Sequence, residues 1–241
     1  MGLLRATQAR IDLDALRHNV ETVRAATPAE LMAVVKADAY GHGAPVMMHY
    51  MLEMGVRRFA VASLNEAVEL RRRNAGGEVL ILGHTPDRLL PMAAGCGAAQ
   101  TVFSLRQAEI LSASGEKAKI HLKVDTGMHR LGFAPDERSL DEVERIFALP
   151  GLEVEGVYSH LALKDGQSDE RQFALFTAFT GEMERRGLHV RYRHICDGLG
   201  CCRYRHMHLD RVRPGAAGYG FGELAGLRPG MTLRSRVAGV R

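Results

Sequence analysis

The chain has 241 residues, of which 46% are hydrophobic and 25% are charged, an ordinary globular balance with enough chain for one large core. The net charge of +4 could suit nucleic acid, but the longest arginine run, Arg71-Arg72-Arg73, closes a helical pattern without an aromatic residue beside it, so we expect no nucleic-acid partner. No apolar stretch approaches the length of a membrane span, and Ile11 opens a helical pattern rather than a secretory signal, so we expect a cytoplasmic protein without a membrane partner.

Short apolar runs alternate along the chain with longer amphipathic runs, a pattern that predicts alternating strands and helices. We predict strands at 31–35, 58–62, 79–82, 99–103, 118–124, 152–158, 190–195 and 209–213. We predict helices near 44–54, 64–73, 86–94, 104–113, 136–148 and 168–186. The segment 198–208 has poor periodicity, so the helix expected after the seventh strand is the least distinct.

Eight strands that are each followed by a helix favour an α/β fold of the (β/α)8 TIM-type barrel class. An open doubly wound sheet is the main alternative, but no strand is followed by the G-x-G-x-x-G pattern of that fold. In a barrel, functional residues lie at the carboxyl ends of the strands, and a phosphate binds near the loops after the seventh and eighth strands. The candidates that fall there are Lys36, Arg130, His160, Asp197, Gly198, Arg213, Gly215 and Ala216.

Lys36 is the most informative of these residues. It follows the apolar run 32–35, which is typical of a strand buried on both faces, and it precedes a glycine-rich turn at 41–43. Partial desolvation favours the neutral amine, which is the form that condenses with an aldehyde to give a Schiff base. A lone lysine after an apolar run is more often an ordinary strand-end residue that reaches solvent, so the neighbouring motifs decide between the two interpretations.

The four cysteines, Cys96, Cys196, Cys201 and Cys202, form no disulfide framework at this chain length, and we expect reduced thiols. Cys196, Cys201, Cys202, His206 and His208 lie close together in sequence, which suggests zinc. None of their spacings is the C-x-x-C or H-x-x-x-H spacing that presents two ligands to one metal ion, so we predict no metal site.

Six parts of the sequence carry distinctive motifs: 11–13 with His18-Asn19, 33–43, Ile81-Leu82-Gly83, 123–132, Ser159-His160-Leu161 and 210–215. Together these motifs resemble the amino-terminal domain of alanine racemase, a pyridoxal-phosphate enzyme of the barrel type. The resemblance spans nearly the whole chain, and its two longest and most specific motifs surround Lys36 and Arg130. The motif that contains His129 is also similar to the serine and alanine racemase domains of vancomycin-resistance proteins, so serine is an alternative substrate to alanine.

The resemblance implies a covalent cofactor, pyridoxal 5′-phosphate, and a small amino-acid substrate. Lys36 would bind the cofactor as a Schiff base and then act as the base for the α proton on one face. Tyr40 would give its hydroxyl to the phosphate, and Leu82 would contact the cofactor. Arg130 would reach the phenolic oxygen and the substrate carboxylate, and Lys123 would orient Arg130, in many relatives after carbamylation.

The same resemblance implies how the ring nitrogen and the phosphate are held. Arg213 would face the pyridine nitrogen, where a guanidinium cannot accept a proton and therefore discourages the pyridinium state. His160 would hydrogen-bond Arg213 and orient it. Backbone groups of Gly198, Gly215 and Ala216 would help to bind the phosphate.

The chain departs from the family after the seventh strand, where Asp197-Gly198 stands in place of the usual Asn-Ser. A carboxylate repels a phosphate, and a lost charge-assisted hydrogen bond costs roughly 1.5–3 kcal/mol. Two alternatives follow: Asp197 turns away and Gly198 supplies a backbone donor, or cofactor binding is weakened. The segment 199–208 is also unusual for the family.

Relatives continue with a second, β-rich domain that supplies a catalytic tyrosine across a head-to-tail homodimer. We predict a barrel over 1–224, and a linker with the first strand of such a domain over 225–241, where 231–237 alternates as a strand that would form an unpaired edge. The resemblance implies an isomerase that supplies D-alanine for the cell wall. A pyridoxal-phosphate-binding barrel without racemase activity is the alternative.

Overall fold

The computed structural model describes residues 7–237. Its strands are β1 (Gln8–Ile11), β2 (Glu30–Val34), β3 (Arg58–Val61), β4 (Glu78–Ile81), β5 (Ala99–Val102), β6 (Ala118–Lys123), β7 (Leu152–Tyr158), β8 (Tyr192–His194), β9 (Arg211–Val212) and β10 (Met231–Arg234). Its α-helices are α1 (Leu13–Ala26), α2 (Lys36–Gly41), α3 (Ala44–Glu53), α4 (Leu64–Arg72), α5 (Leu90–Gly95), α6 (Leu105–Ser112), α7 (Glu137–Phe147), α8 (Gly166–Arg185) and α9 (Gly198–Arg203). Short 3-10 turns lie at Asp87–Leu89, Arg205–Met207 and Ala216–Tyr219.

Strands β2 to β9 form one parallel barrel in which the spatial order is β8-β7-β6-β5-β4-β3-β2-β9. The circle is completed between β9 and β8 by a parallel bridge from Asp197 to Arg213, where the Arg213 N–H donates to the Cys196 carbonyl at 3.0 Å. The predicted (β/α)8 TIM-type barrel is therefore confirmed. The eight predicted strands lie within two residues of the observed limits, and the indistinct segment 198–208 forms α9 followed by a 3-10 turn.

Alternation along the barrel strands separates an outer core from an inner one. The outward residues pack against the helices in the main hydrophobic core, as Ile120 and Leu122 do on β6. On β2 to β5, the inward residues form a small apolar cluster, whose buried members are Met32, Val34, Ala60, Leu80 and Ala99. On β6 to β9 the buried alternate positions are polar: His121, Lys123, Tyr158, His194, Arg211 and Arg213. One half of the barrel interior is thus lined by polar groups.

The prediction that 231–237 forms an unpaired edge is wrong, because β10 pairs antiparallel with β1. β1 was not predicted as a strand, because its sequence QARI is only four residues long and its alternation of polar and apolar residues is too short to be distinctive. Asn19 on α1 tethers the approach to this small sheet: it is fully buried, and its side chain exchanges two hydrogen bonds of 2.7 Å with the Arg228 backbone. The His18 ring contacts the Gly226 carbonyl at 2.8 Å.

Within residues 7–237, no helix has the length and apolarity needed to cross a bilayer. The predicted division at 224 and 225 is not decided by this fold, because the segment after 224 contributes only β10. Residues 1–6 of the first predicted unit and 238–241 of the second lie outside the described residues.

Candidate active site

A cavity of about 650 Å³ opens at the carboxyl ends of the barrel strands. It brings together every residue that we proposed for the site, although these residues come from seven different segments of the chain. The proposed residues that line it are Lys36, Tyr40, Leu82, Lys123, Arg130, His160, Asp197, Gly198, Arg213, Gly215 and Ala216. The location is the one at which barrel proteins hold their functional residues.

Lys36 follows β2 and opens α2, which is not an ordinary right-handed helix. The residues 37–40 all have φ between 52 and 54°, in the left-handed region, although none of them is glycine. Each such residue costs about 1–2 kcal/mol, so the surroundings must hold the turn in place. Glu66 Oε1 accepts a hydrogen bond from the Ala37 N–H at 2.8 Å, and Asp38 Oδ1 accepts one from the Ala44 N–H at 2.6 Å. Lys36 is half-buried at the cavity wall.

The left-handed turn brings the Tyr40 hydroxyl against Gly215. A Cβ atom at Gly215 would lie 2.4 Å from Tyr40 Oη, so only glycine leaves room for this hydroxyl. Burial, with a smaller contribution from the Asp197 carboxylate, raises the pKa of Tyr40, so the hydroxyl keeps its proton and can donate it in a hydrogen bond. Within residues 7–237, the backbone N–H groups of Gly215 and Ala216 have no intramolecular acceptor, and Gly198 lies beside them at the cavity wall. These groups form a cradle of donors at one end of the cavity.

Asp197 is directed toward the helix that follows it. Its Oδ1 atom caps α9 by accepting from the Gly200 N–H at 2.8 Å, as is usual for an aspartate at a helix N-cap. Its other oxygen lies 4.0 Å from His160 Nε2. Asp197 is therefore engaged by α9, as in the first of the two alternatives, and Gly198 lies at the cavity wall.

Arg213 is buried beneath the cavity, and each end of its guanidinium has acceptors. Nη1 donates to His194 Nδ1 at 2.5 Å, whereas Nη2 donates to the carbonyls of Ser159 and Ile195, both at 2.9 Å. His160 Nδ1 lies 3.1 Å from Nη2, which is the contact that the resemblance implies. Burial and the Arg213 charge lower the pKa of His160 to about 2, so its ring is neutral and accepts from the guanidinium.

Lys123 is a buried amine, 5% exposed, at the end of β6. Its Nζ donates to the Val124 carbonyl at 2.8 Å, and no hydrogen bond joins it to Arg130 within the described part of the chain. Burial first, and the Arg213 charge second, lower its pKa to about 7. Near neutral pH a substantial fraction of this amine is therefore uncharged and nucleophilic.

Arg130 lies on an exposed loop that is organised by one carboxylate. The Asp125 side chain accepts hydrogen bonds from the backbone N–H groups of Gly127, His129 and Arg130 at 3.0–3.1 Å. Burial would raise the pKa of Asp125, but the donors of Gly127 and His129 outweigh this effect and lower it. The loop is thereby held with the Arg130 side chain at the cavity wall.

The sequence did not indicate that His194 and Tyr158 lie beside Arg213. His194 receives the shortest hydrogen bond of the guanidinium, and the Tyr158 ring stacks on His194 with centroids 4.7 Å apart and planes 10° apart. Their inward position follows from strand alternation, but the contact depends on the register between β7 and β8, which sequence alone does not give.

The residue set fits pyridoxal phosphate, the cofactor that the resemblance implies. The cavity offers a half-buried primary amine, a cradle of hydroxyl and backbone donors that a Cβ at Gly215 would fill, and a buried guanidinium. Such donors suit an aldehyde, a phosphate and a ring nitrogen, respectively.

The cysteine and histidine group near α9 has other partners. His208 contacts the Thr27 hydroxyl at 2.8 Å and the Cys201 carbonyl at 2.9 Å, and His206 contacts Glu170 at 3.0 Å. All four cysteines carry free thiols. Among the residues that the structure describes, no three side chains of the metal-ligating types come together.

Comparison with known proteins identifies the family of the chain and several of its relatives. The family model described as "Alanine racemase, N-terminal domain" matches residues 11–222. The alanine racemase of Clostridium tetani is 38% identical over 254 aligned positions, which cover 99% of this chain and 65% of that protein. The alanine racemase of Desulforamulus reducens is 39% identical, with coverage of 97% and 67%. The chain thus spans about two thirds of the length of these relatives.

Solved structures agree with the sequence relatives. The alanine racemase of Clostridium difficile 630 in complex with cycloserine superposes with a TM-score of 0.96 at 28% identity, over 100% of this chain and 70% of that one. The alanine racemase of the D-cycloserine producer Streptomyces lavendulae gives 0.91 at 33% identity, over 97% and 66%.

Proposed function

The chain belongs to the family of the alanine racemase N-terminal domain, and on that premise we propose that it is the cofactor-binding barrel of a pyridoxal-phosphate-dependent racemase that interconverts L- and D-alanine. One observation carries this proposal: Lys36, Tyr40, Arg130 and Arg213 converge on one cavity with the donor cradle around Gly215. The relatives that cover most of the chain bear the same activity in their names.

The cradle and Lys36 would hold the cofactor. The Tyr40 hydroxyl and the backbone N–H groups of Gly198, Gly215 and Ala216 would bind its phosphate, and Lys36 Nζ would bind its aldehyde carbon covalently. Leu82, at the end of β4, would pack against the ring. The capping of α9 by Asp197 keeps that carboxylate engaged and reduces its repulsion of the phosphate.

When bound, pyridoxal phosphate would withdraw electrons from the amino acid and make its α proton acidic. Arg213 would face the ring nitrogen and withhold a proton from it, because a guanidinium donates hydrogen bonds and does not release its proton at neutral pH. His160, His194 and the two carbonyls keep the guanidinium in one position.

Lys36 and Arg130 would act on the substrate. Arg130 would bind the carboxylate of the amino acid through its planar pair of donors, which fixes the α carbon near Lys36. Once the substrate amine has displaced Lys36 from the cofactor carbon, the released Lys36 Nζ would remove the α proton from one face, or return it there. Lys123 would adjust the charge near Arg130, and its amine of pKa about 7 is suited to carbamylation.

Racemisation needs a proton donor on each face of the α carbon. We assign Lys36 to one face and propose that the second donor comes from a β-rich domain that follows the barrel, across a homodimer, with residues 225–241 as its linker and first strand. The relatives, which are longer than this chain, support this division. A cytoplasmic location and a role in supplying D-alanine for the cell wall are part of the same proposal.

The test is exchange of the α hydrogen in deuterium oxide. The 241-residue chain is loaded with pyridoxal phosphate and given L-alanine, D-alanine or serine, and NMR follows deuterium incorporation and inversion separately. Because Lys36 serves one face, we expect exchange of one alanine enantiomer to be faster than its inversion and faster than exchange of serine. Lys36→Ala should abolish exchange, and the exposed Lys164→Ala is the matched control.

Each outcome of this experiment assigns a function. Exchange that requires Lys36 supports a racemase, and a preference for serine would reassign the substrate. Stoichiometric cofactor binding without exchange of either enantiomer would contradict the racemase proposal and favour a cofactor-binding barrel instead.

A further inference from the structure

A continuous line of polar side chains runs through the barrel interior, from Arg213 under the cavity to the Glu155 carboxylate on β7. Arg213 Nη1 lies 2.5 Å from His194 Nδ1, and His194 Nε2 lies 3.0 Å from His121 Nδ1. His121 Nε2 lies 3.6 Å from Glu155 Oε2. The other oxygen of Glu155 accepts from Lys119 Nζ at 2.8 Å.

The proton positions along this line follow from its first member. A guanidinium can only donate, so His194 Nδ1 must be the unprotonated nitrogen of its ring. Burial lowers the pKa of both His194 and His121, so each ring is neutral and carries one proton. His194 therefore carries its proton on Nε2 and donates it to His121 Nδ1, and His121 must carry its own proton on Nε2, toward Glu155.

Glu155 favours this arrangement by charge. At 3.6 Å its contact with His121 is electrostatic rather than a hydrogen bond, and a negative charge stabilises an N–H dipole that points at it. The contact with His121, followed by that with Lys119, outweighs burial and lowers the pKa of Glu155 to about 2, so the carboxylate is ionised. Its side chain is only 6% exposed, which limits screening by water.

Packing fixes the positions of the His194 and His121 rings, so only their tautomers remain free to change. His194 is stacked on Tyr158, as described above. His121 lies over Gly156, where a Cβ would come within 2.5 Å of its Nδ1 atom. Gly156 is the single glycine of β7, and it lies where the His121 ring packs against that strand.

Within residues 7–237, no carboxylate forms an ion pair of 4.0 Å or less with the Arg213 guanidinium, and the Asp197 charge, which opposes the lowering of the Arg213 pKa by burial, acts from beyond that distance. The two aligned imidazoles connect its positive charge to Glu155. We propose that Glu155 is a positioning residue for Arg213, which it holds in place by fixing the tautomers of His121 and His194. Only the use of Arg213 at a cofactor ring nitrogen rests on the proposed function; the tautomer chain itself does not.

The first test needs no substitution. The chain is labelled with 15N-histidine, and long-range 1H–15N spectra distinguish protonated from unprotonated ring nitrogens. We expect the Nε2–H tautomer at both His121 and His194. A proton on Nδ1 of His194, or an unprotonated Nε2 at His121, would overturn the proposal without any reference to cofactor binding.

Two variants then test the action at a distance. Glu155→Leu should give a mixture of His121 tautomers and shift the His194 and Arg213 side-chain resonances, whereas Glu153→Leu on the same strand, at an exposed position, should not. Gly156→Ala keeps Glu155 but crowds both the His121 ring and the Tyr192 carbonyl, whose oxygen would lie 2.9 Å from the added Cβ. It should also disturb His194, and it provides a second variant if Glu155→Leu does not fold. Unchanged His194 tautomers in a folded Gly156→Ala or Glu155→Leu protein would contradict the proposal.

A cofactor titration links this device to the proposed function. We expect Glu155→Leu to weaken pyridoxal phosphate binding about tenfold, as for the loss of one hydrogen bond to a charged group, with Glu153→Leu unchanged. Altered tautomers with unaltered cofactor affinity would mean that Glu155 positions Arg213 but that Arg213 does not contribute to the cofactor site, so the two proposals fail separately.

Discussion

At the scale of single residues, the shape of the cavity depends on one close approach. Gly215 has no side chain where the Tyr40 hydroxyl lies, and Gly198 lies close by, with its ideal Cβ position 3.7 Å from Gly215 N. Glycine is needed at 215 because of this contact and not because of its backbone angles, which are not left-handed. The motif around Tyr40 suggested its role, but the contact with Gly215 joins residues 175 positions apart and is visible only in the fold.

Gly215→Ala should weaken the binding of pyridoxal phosphate about tenfold to a hundredfold. The added methyl group would lie 2.4 Å from Tyr40 Oη, so the hydroxyl must leave the cradle and a hydrogen bond to a charged phosphate is lost. Equilibrium titration followed by absorbance measures the effect. Gly218→Ala, where a Cβ meets no atom within 4 Å, is the matched control.

A double variant identifies the cause of that loss. In Tyr40→Phe the clashing oxygen is absent, so adding Gly215→Ala should weaken binding much less than it does in the wild-type chain. Additive losses in the double variant would mean that Gly215 acts independently of Tyr40.

The buried Lys123 predicts a pH dependence of stability. Its pKa is lowered from 10.5 to about 7 in the folded chain, so between these values the unfolded chain binds a proton that the folded chain has released. The free energy of unfolding should therefore rise with pH from about 7 toward 10.5, and the cost of burying the charge is fully present below pH 7. The slope from one such group is at most about 1.4 kcal/mol per pH unit.

Lys123→Met removes the titrating amine and should flatten this rise between pH 7 and 9.5, as measured by urea unfolding. Lys117→Met, at an exposed position just before β6, controls for the loss of one positive charge. Equal slopes in the wild-type chain and Lys123→Met would show that Lys123 does not titrate in this range.

At the scale of elements, the strand before Lys36 was predictable but the turn after it was not. An apolar run of branched residues predicts a buried strand, and the position of Lys36 at its end follows directly. The left-handed turn at 37–40 contains no glycine, so nothing local signals it. It is held by contacts from elsewhere, above all from Glu66 at the start of α4.

Glu66 serves two elements at once. Its side chain forms a capping box with Ser63 at the N-terminus of α4, and it also accepts from the Ala37 N–H in the Lys36 turn. Glu66→Ala should lower the free energy of unfolding by about 1–2 kcal/mol and should weaken cofactor binding, because both the cap and the turn lose a partner.

Thermal or urea unfolding together with a cofactor titration measures both effects of Glu66→Ala. The exposed Glu69→Ala on the same helix should change stability by no more than about 0.5 kcal/mol. A loss of stability without any loss of cofactor affinity would show that the Lys36 turn does not depend on Glu66.

At the scale of the whole molecule, the barrel could be predicted because its strands and helices alternate locally along the sequence. Relations between distant residues could not. The pairing of β1 with β10 joins the two ends of the described chain, and the polar interior of β6 to β9 depends on the register of several strands. His121 and His194 were therefore not recognised, whereas Lys36 and Arg130 were, because each of the latter lies within a long local motif.

The whole account depends on Lys36 being the residue that holds the cofactor. The most direct measurement is a visible absorbance titration with pyridoxal phosphate, followed by borohydride reduction and peptide mapping by mass spectrometry, on the wild-type chain, Lys36→Ala and Lys164→Ala. We predict a saturable band in the wild-type chain and Lys164→Ala, its absence in Lys36→Ala, and the reduced label on Lys36. A band of equal size in Lys36→Ala, or a label on another lysine, would contradict the account.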